Sequence, residues 1–509
     1  ISVLGSDYVG AFPVKGKVIN SDTSIKRLQQ NKEFINICRV LGVEPGKPVQ
    51  RSQLRYGRMV VLTDADPDGS HIRGLIMYMF SKFWPELLKE GGFLDFMVTP
   101  IVVAKAKNTT QTPVHYFYTL PSFQTWLQTA TSSRWDIKYY KGLGTSTTKE
   151  GRYYFKHLRE HIRNFSAATD EDFQALFMAF NQKNKDASQK RKEWLTTYDH
   201  HKFIPYDHLK QVPIHRFINE DLIHFSWLSV CRAIPAYEDG LTPAARKCLW
   251  TMLQRKVIHD EKVSILQSYV DKDTHYHHGA DSLGKTIIRL AQTFVGSQNI
   301  NLFFPSGQFG TRVDGGKKTV AATRYIFSRL MPLTRKLFHP DDDQILEQME
   351  DEGFTIEPRF MTPVIPLLLV NGANQVGTAY ACKIPCYRPE DVIAAVERKL
   401  DGQPWQPLTP WYHQFTGTIT GDPKGHFTSK GVVQKVSDRV WNITELPIRL
   451  WRLDYKAKLS AMVEAGDIEG FHEKHRNSEV CFEVTLKKAP ADNFNPYAFF
   501  KLQNKFTAN

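Results

Sequence analysis

Cysteine is scarce: there are six in 509 residues, at positions 38, 231, 248, 382, 386 and 481. That is too few and too scattered for the disulfide framework of a secreted protein, so a reducing compartment is expected. The one close pair, Cys382 and Cys386, has no second Cys or His pair at finger spacing, which argues against a structural zinc. No apolar run approaches the roughly 18 residues of a membrane span, and there is no amphipathic basic anchor. Internal repeats and long low-complexity linkers are missing too. The chain starts at Ile1 without Met or signal peptide and stops without a cap or charged tail, so it reads as a piece of a longer polypeptide. Acid is also in short supply: 53 Asp and Glu against 66 Lys and Arg leave a net charge of +13 and a pI near 9.2. That excess calls for a polyanionic partner, and with no membrane segment the natural one is nucleic acid.

What is present is globular in composition, with 41% hydrophobic and 12% aromatic residues. The length allows about three or four domains. The densest chemistry is the stretch Arg58 to His71. Met59 to Leu62 is short, apolar and β-branched, as a buried strand should be, and the apolar positions Ile72, Leu75, Ile76, Met79, Phe80 and Phe83 follow at helical spacing. Asp64, Asp66 and Asp68 therefore fall on a strand-to-helix turn, where open α/β sheets keep their sites. Three acids with no adjacent base repel one another, and a hard divalent cation relieves the repulsion. The spacing also fits the opening of an EF-hand, but Leu75 stands where that loop needs a bidentate Glu. An aspartyl-phosphate phosphatase fits less well, because Asp68 replaces a hydroxyl residue; a solvated acidic turn also satisfies the pattern.

Residues 1 to about 115 alternate strand and helix patterns: a strand over Val9 to Val14, a helix around Ser24 to Val40, the acidic turn with its helix, and a strand from Phe96 to Val103. This predicts a small parallel sheet. Two glycine turns carry cations, Lys15-Gly16-Lys17 and Tyr139 to Ser146, the second preceding a helix from about Thr148. Asp170 to Trp194 reads as one helix with a basic end, suited equally to solvent and to a phosphate backbone. Residues 216 to 345 read as mostly helical. Thr242-Pro243 starts one helix with Arg246 and Lys247 off its apolar stripe and able to face outward, and a second runs from about Ser282, a layout like that of a winged helix or helix-turn-helix. Glycine-rich turns at 307–316 lead to Arg324-Tyr325, a pairing that gains meaning beside a phosphodiester. Beyond 350, strands near 415–420, 431–437, 440–446 and 480–486, with helices over Pro389 to Leu400 and Arg452 to Glu464, predict an α+β region.

In order and spacing, Phe12-Pro-Val-Lys-Gly-Lys-Val-Ile-Asn20, Thr63 to Ile72, Thr99-Pro-Ile101, Tyr139 to Ser146, Arg191 to Thr196, Tyr276-His-His-Gly279, Gly307 to Arg312 and Arg324-Tyr-Ile-Phe327 resemble the breakage-reunion core of type IIA DNA topoisomerases of the eukaryotic and large-DNA-virus kind. The resemblance implies a multidomain α/β and α+β chain. Its parts would be a TOPRIM metal-binding domain over 1–150, a basic helical linker over 151–215, a winged-helix domain over 216–350 and an α+β tower over 351–509.

The same resemblance assigns roles. Asp64 and Asp66 match the magnesium ligands, with Asp68 beside them as a third, and two Mg2+ per site are expected. Tyr325 matches the nucleophile that joins a DNA 5′-phosphate, and Arg324 the residue steadying that transition state. Lys17, Asn20, Tyr276 and Trp451 fall where the family touches DNA, Lys183 and Lys185 lie in a similar basic segment, and Val376 stands where an apolar wedge bends the duplex. Implied partners are double-stranded DNA and a second copy of the chain, with no membrane. The complete enzyme would use ATP, which this stretch does not bind. Localisation would be nuclear for a cellular protein, or host cytoplasm or virion for a viral one. The family's Lys-Pro-Gly-Gln-Arg-Lys reads Thr242-Pro-Ala-Ala-Arg-Lys247 here, and Ser-Pro before Arg-Tyr reads Ala322-Thr323, as in a divergent member. The family's metal-binding Glu should fall shortly before Ile1, so the stretch alone is expected to bind DNA but cleave it weakly or not at all. A metal-dependent nuclease or phosphotransferase, or a DNA scaffold without activity, is the alternative.

Overall fold

An edge β-strand followed by an acid-capped helix sets up the first part of the molecule; of Met59–Leu62 only Val61 is buried, so the buried strand expected there is half exposed, having a neighbour on one side alone. The computed structural model describes residues 2–107, 114–130, 134–140, 142–351, 353–422, 424–476 and 479–509, and the chain divides into two compact units, 1–230 with 377–380 and 231–376 with 381–509.

In the first unit Met59–Leu62 pairs parallel with Leu94–Met97, which pairs antiparallel with Ile162–Phe165, which pairs parallel with Gln211–Val212. The sheet is therefore mixed, not parallel as expected. The chain leaves after Leu94–Met97 to build a second antiparallel sheet, Val114–Phe117, Val102–Ala106 and Trp135–Tyr139, and re-enters from the other end. The expected strand from Phe96 to Val103 is split between these sheets at Thr99-Pro100, since proline has no N–H for a ladder and restricts the residue before it. Val9 to Val14 forms no strand; Pro13 interrupts it and most of these residues face solvent. Two expected helices are each broken by an asparagine. Asn31 accepts the Phe34 N–H at 2.9 Å and starts Lys32–Leu41 afresh after the short Ile25–Leu28. Asn181 accepts from Lys183 and Asn184 N–H at 3.2 and 2.8 Å, ending Asp170–Phe180 and delaying the next helix to Ala187–Thr196.

The second unit opens with helices Pro243–Gln254, Val263–Thr274 and Ala280–Ala291 against a three-stranded antiparallel sheet, with Phe327–Leu330 between Glu261–Lys262 and Phe303–Ser306. This is a winged-helix arrangement with one helix more than the sequence pattern showed. Arg246 and Lys247 do not face outward. Arg246 is buried with its Nε 2.6 Å from Asp239 Oδ2, and Lys247 Nζ donates to Glu357 Oε2 at 2.9 Å and to the Thr274 carbonyl at 2.8 Å. Their acids come from outside the helix, which is why its own periodicity misplaced them. Farther on, helices Pro389–Leu400 and Arg452–Glu464 stand at the expected bounds. A four-stranded antiparallel sheet, ordered Val432–Lys435, Val440–Glu445, Phe482–Leu486, Ile468–Glu473, packs Ile443, Phe482 and Val484 against Tyr455, Leu459 and Phe500. The chain is thus α/β and α+β in separate parts, as expected.

Candidate active site

The acidic turn is held by its own residues. Asp66 caps the helix Pro67–Phe83, its Oδ1 accepting the Gly69 N–H at 2.6 Å, with Pro67 at the first helical position. The turn is not without a base, as its local sequence suggested: Lys17, distant in the chain, places Nζ 2.7 Å from Asp68 Oδ1 and 4.3 Å above the Phe225 ring. His71 stacks on the same ring at 3.9 Å, and burial, aided by the Lys17 ammonium, pushes its imidazole down to about 4, so it is neutral at physiological pH. Behind the turn, Ser70 Oγ donates to Asp221 Oδ1 at 2.5 Å and Arg73 Nη2 to Ser70 Oγ at 2.8 Å, while Tyr206 donates to the other oxygen of Asp221. These bonds fix the helix that carries the acids.

Asp64 is exposed at the end of its strand. Among the described residues no three His, Cys, Asp or Glu side chains gather as a metal cage, and Asp68 is tied to Lys17. Asp64 and Asp66 carry carboxylate oxygens, the hard kind of donor, on the same turn. Magnesium suits such a set, because it is commonly held by one or two carboxylates and completes its shell with water and substrate phosphate.

A glycine loop packs on Asp64. A Cβ at Gly142 would lie 2.8 Å from Asp64 Oδ1 and 3.0 Å from Oδ2, so only glycine lets this backbone come so near. Glu150 organises the loop: it accepts from Tyr140 Oη at 2.6 Å, from Thr147 N–H at 2.8 Å and Oγ1 at 3.0 Å, and from Lys138 Nζ at 3.4 Å. Burial by itself would raise this carboxyl, but those donors outweigh it and hold it down to about 2. The sequence reading missed Glu150, although Thr147-x-x-Glu150 carries the capping-box spacing that marks it. Lys141, in the middle of the loop, lies outside the described residues.

Of the residues expected to touch DNA in this unit, Lys183 and Lys185 are exposed on the turn between two helices. Asn20 is engaged internally, donating to the Phe180 carbonyl at 3.0 Å and accepting from Asp22 N–H at 2.9 Å. Arg191 also turns inward, onto the Met178 and Asn181 carbonyls at 3.2 and 2.8 Å.

In the second unit Tyr325 ends a tight turn, its N–H donating to the Ala322 carbonyl at 2.9 Å. The backbone on both sides is pinned to the helix Val263–Thr274: Ser264 N–H donates to Thr323 O at 3.2 Å and Val263 N–H to Ile326 O at 3.0 Å. Ile326 is buried at 1% exposure while its neighbour Tyr325 is 66% exposed, so alternation throws the phenol outward from a core-anchored turn. Arg324 Cζ lies 4.6 Å from the centroid of the Tyr325 ring. Such a pair offers a nucleophile and, beside it, a planar donor fork for phosphate oxygens.

Tyr276 shares a hydrogen bond with Ser282 Oγ at 2.7 Å and packs partly on the core. Trp451 caps Arg452–Glu464 and presses on Gly315, where a Cβ would come within 2.4 Å of its ring, and its edge meets Phe294 at 5.9 Å. Packing occupies much of both side chains. Val376 ends the first strand of the hairpin Ala373–Val376, Ala381–Ile384 and is 71% exposed, a surface apolar residue beside the hairpin turn.

Three family descriptions match the chain in succession: "Toprim domain" over residues 1–98, "C-terminal associated domain of TOPRIM" over 97–230, and the A-type subunit of "DNA gyrase/topoisomerase IV" over 232–509. DNA topoisomerase 2 of Arabidopsis thaliana is 42% identical over 473 residues, covering 91% of this chain and 31% of the relative. DNA topoisomerase 2-alpha of Cricetulus griseus is 39% identical over 536 residues, covering 100% and 34%. The chain thus spans about a third of the length of these relatives. A crystal structure of the Plasmodium falciparum topoisomerase II DNA-binding, cleavage and re-ligation domain superposes with a TM-score of 0.78 at 38% identity, covering 99% of this chain and 69% of that one.

Proposed function

The chain belongs to the type IIA DNA topoisomerase family, and from that membership we propose that it forms the breakage-reunion core of an ATP-dependent enzyme that opens and reseals duplex DNA. The observation that carries the reading is Tyr325: an exposed phenol on a turn anchored to a winged-helix core, with the Arg324 guanidinium beside it.

In this reading two copies act on one duplex, each Tyr325 on one strand. The phenolic oxygen forms a bond to phosphorus as the bond to the 3′ oxygen breaks, the phenol gives up its proton and the departing 3′ oxygen gains one. One phosphodiester replaces another, so resealing consumes no nucleotide. Arg324 lies beside the phenol, where its guanidinium would meet the charge building on the non-bridging oxygens. The Toprim domain is a metal-dependent module; Asp64 and Asp66 would hold Mg2+, whose positive charge, when bound, offsets that of the scissile phosphate. Lys17 neutralises Asp68, and Gly142 and Glu150 keep Asp64 in place. ATP, strand passage and the homodimer belong to the proposal for the whole protein. So do the division into parts at 150, 215 and 350 and a nuclear location, two relatives being named as mitochondrial. No helix among the described residues is long and apolar enough to cross a membrane.

The test is a cleavage assay on the full-length protein with supercoiled plasmid, Mg2+ and ATP, stopped with detergent. Linear DNA should carry protein on its 5′ ends, and Tyr325→Phe should abolish that adduct while leaving DNA affinity nearly unchanged. Hydrolysed ends, made equally well by the variant, would identify a nuclease instead.

A further inference from the structure

One carboxylate of the second unit gathers three separate elements. Glu445, buried at the end of the strand Val440–Glu445, accepts both arms of the Arg312 guanidinium, Nη2 on Oε1 and Nη1 on Oε2, the latter at 3.4 Å. Leu446 N–H donates to Oε1 at 2.8 Å, and Thr416 donates to Oε2 from Oγ1 at 3.2 Å and from its N–H at 3.4 Å. Arg312 stands on the loop 307–321 and Glu445 in the four-stranded sheet. Thr416 comes just before Thr418–Gly421, the edge strand of a three-stranded sheet with His426–Lys430 and Gln503–Thr507. Neither charge of the pair meets solvent freely, since Arg312 is 8% exposed and Glu445 2%.

The backbone repeats the attachment. The Arg312 and Val313 carbonyls accept the N–H groups of Arg452 and Leu453 at 3.4 and 3.0 Å. Those two residues open the helix Arg452–Glu464, where N–H groups have no partner within the helix itself. Trp451, one residue earlier, lies against Gly315 and also against Gly296, where a Cβ would stand 3.3 Å from its ring.

The loop so held leads straight to Tyr325. Phe309 and Val320 pair across it as an antiparallel bridge, Ala321 N–H donates to the Gln308 carbonyl at 3.0 Å, and Thr311 N–H donates to Thr319 Oγ1 at 3.0 Å. Inside the bend, Asp314 accepts from the N–H groups of Gly316 and Thr319, each at 3.0 Å, and from Thr319 Oγ1 at 2.7 Å. With its two limbs tied together and its bend filled by a carboxylate, the loop has little freedom to change shape. Ala321 is followed at once by the turn from Ala322 to Tyr325. A shift of Arg312 is therefore passed on to the phenol and not absorbed on the way.

A buried ion pair contributes little net stability, because desolvating two charges offsets most of their attraction. What the planar fork of arginine fixes is direction: two donors on one carboxylate define an orientation that apolar packing of equal volume leaves loose. We propose that Arg312 and Glu445 are positioning residues that set the turn bearing Tyr325 in register with the two sheets, so that the phenolic oxygen is aligned for attack. The proposal rests on the breakage reading above and adds to it how the attacking group is aimed. Neither side chain takes part in the bond changes themselves.

The test removes the pair without leaving a charge buried alone. In Arg312→Met/Glu445→Gln the amide still offers an oxygen to the Leu446 and Thr416 donors, so the full-length variant should melt close to wild type. Adduct formation on supercoiled plasmid with Mg2+ and ATP is followed in time at a series of protein concentrations, and duplex affinity is read separately by fluorescence anisotropy. Misplacing a reacting group by about 1 Å can cost on the order of 100-fold. The maximal rate of adduct formation should therefore fall by about 10- to 100-fold, while the half-saturating concentration and the duplex affinity stay at wild type. Arg312→Lys, which keeps the charge but not the fork, should fall between the two. A wild-type maximal rate in a double variant with wild-type melting would overturn the positioning role, as would a loss of rate matched by an equal loss of duplex affinity. If the double variant melts early, Arg312→Lys is read alone in the same way, and early melting of both would show that the pair holds the fold together and does not aim the turn. In each of these cases the breakage reading stands so long as wild type forms the Tyr325 adduct; a wild type that forms none would overturn both.

Discussion

Gly142 lies against the carboxylate of Asp64, close enough that a methyl group at 142 would stand 2.8 Å from Oδ1. Gly142→Ala should push that carboxylate aside without disturbing a core. Disturbing such a supporting contact commonly costs about 10-fold or more in metal affinity. Calorimetric titration of Mn2+ into the full-length protein should show that loss, with the melting temperature nearly unchanged. Wild-type Mn2+ affinity in the variant would mean the contact is incidental.

Glu150 supports the same loop and gives it a pH signature. Its carboxyl is held down from the usual 4.5 to about 2, so its contribution to stability is complete above about 4.5 and fades as pH falls toward 2. Glu150→Gln should be less stable than wild type at neutral pH, and the gap should close across that acid window. Urea unfolding at a series of pH values measures it. A gap that stays constant with pH would show that the charge of Glu150 contributes nothing.

Arg246 separates a structural role from a DNA contact. Its guanidinium is buried against Asp239, which is fully buried and also accepts Leu241 and Met361 N–H at 2.9 and 3.0 Å. Arg246→Gln leaves that acid without its cation, at a cost of about 3–5 kcal/mol. Chemical denaturation should register the loss, while the salt dependence of DNA binding by the folded variant stays at the wild-type value. A stable variant with a flatter salt slope would restore the outward-facing reading.

The acidic turn was legible in sequence because its signals are local: a strand, a cap, a proline and a helix within one short stretch. Pro389–Leu400 and Arg452–Glu464 were legible for the same reason. Errors arose where a distant partner decides the outcome. Lys17 reaches Asp68, Glu357 reaches Lys247, and the strand Ile162–Phe165 reverses into a sheet begun much earlier. The breaks at Asn31 and Asn181 belong to a third kind, in which a single side chain offers the backbone an alternative to the next helical bond. The exposure of Tyr325 follows from its neighbour's burial, which no periodicity over so short a turn could reveal.

Because hydrogen bonds clamp the chain before and after Tyr325 and Ile326 is locked in the interior, only two side-chain torsions are left to swing the reacting oxygen. Lining up for in-line displacement is then a search over a pair of rotors instead of a loop, and most of the ordering entropy has been lost during folding, before any duplex arrives.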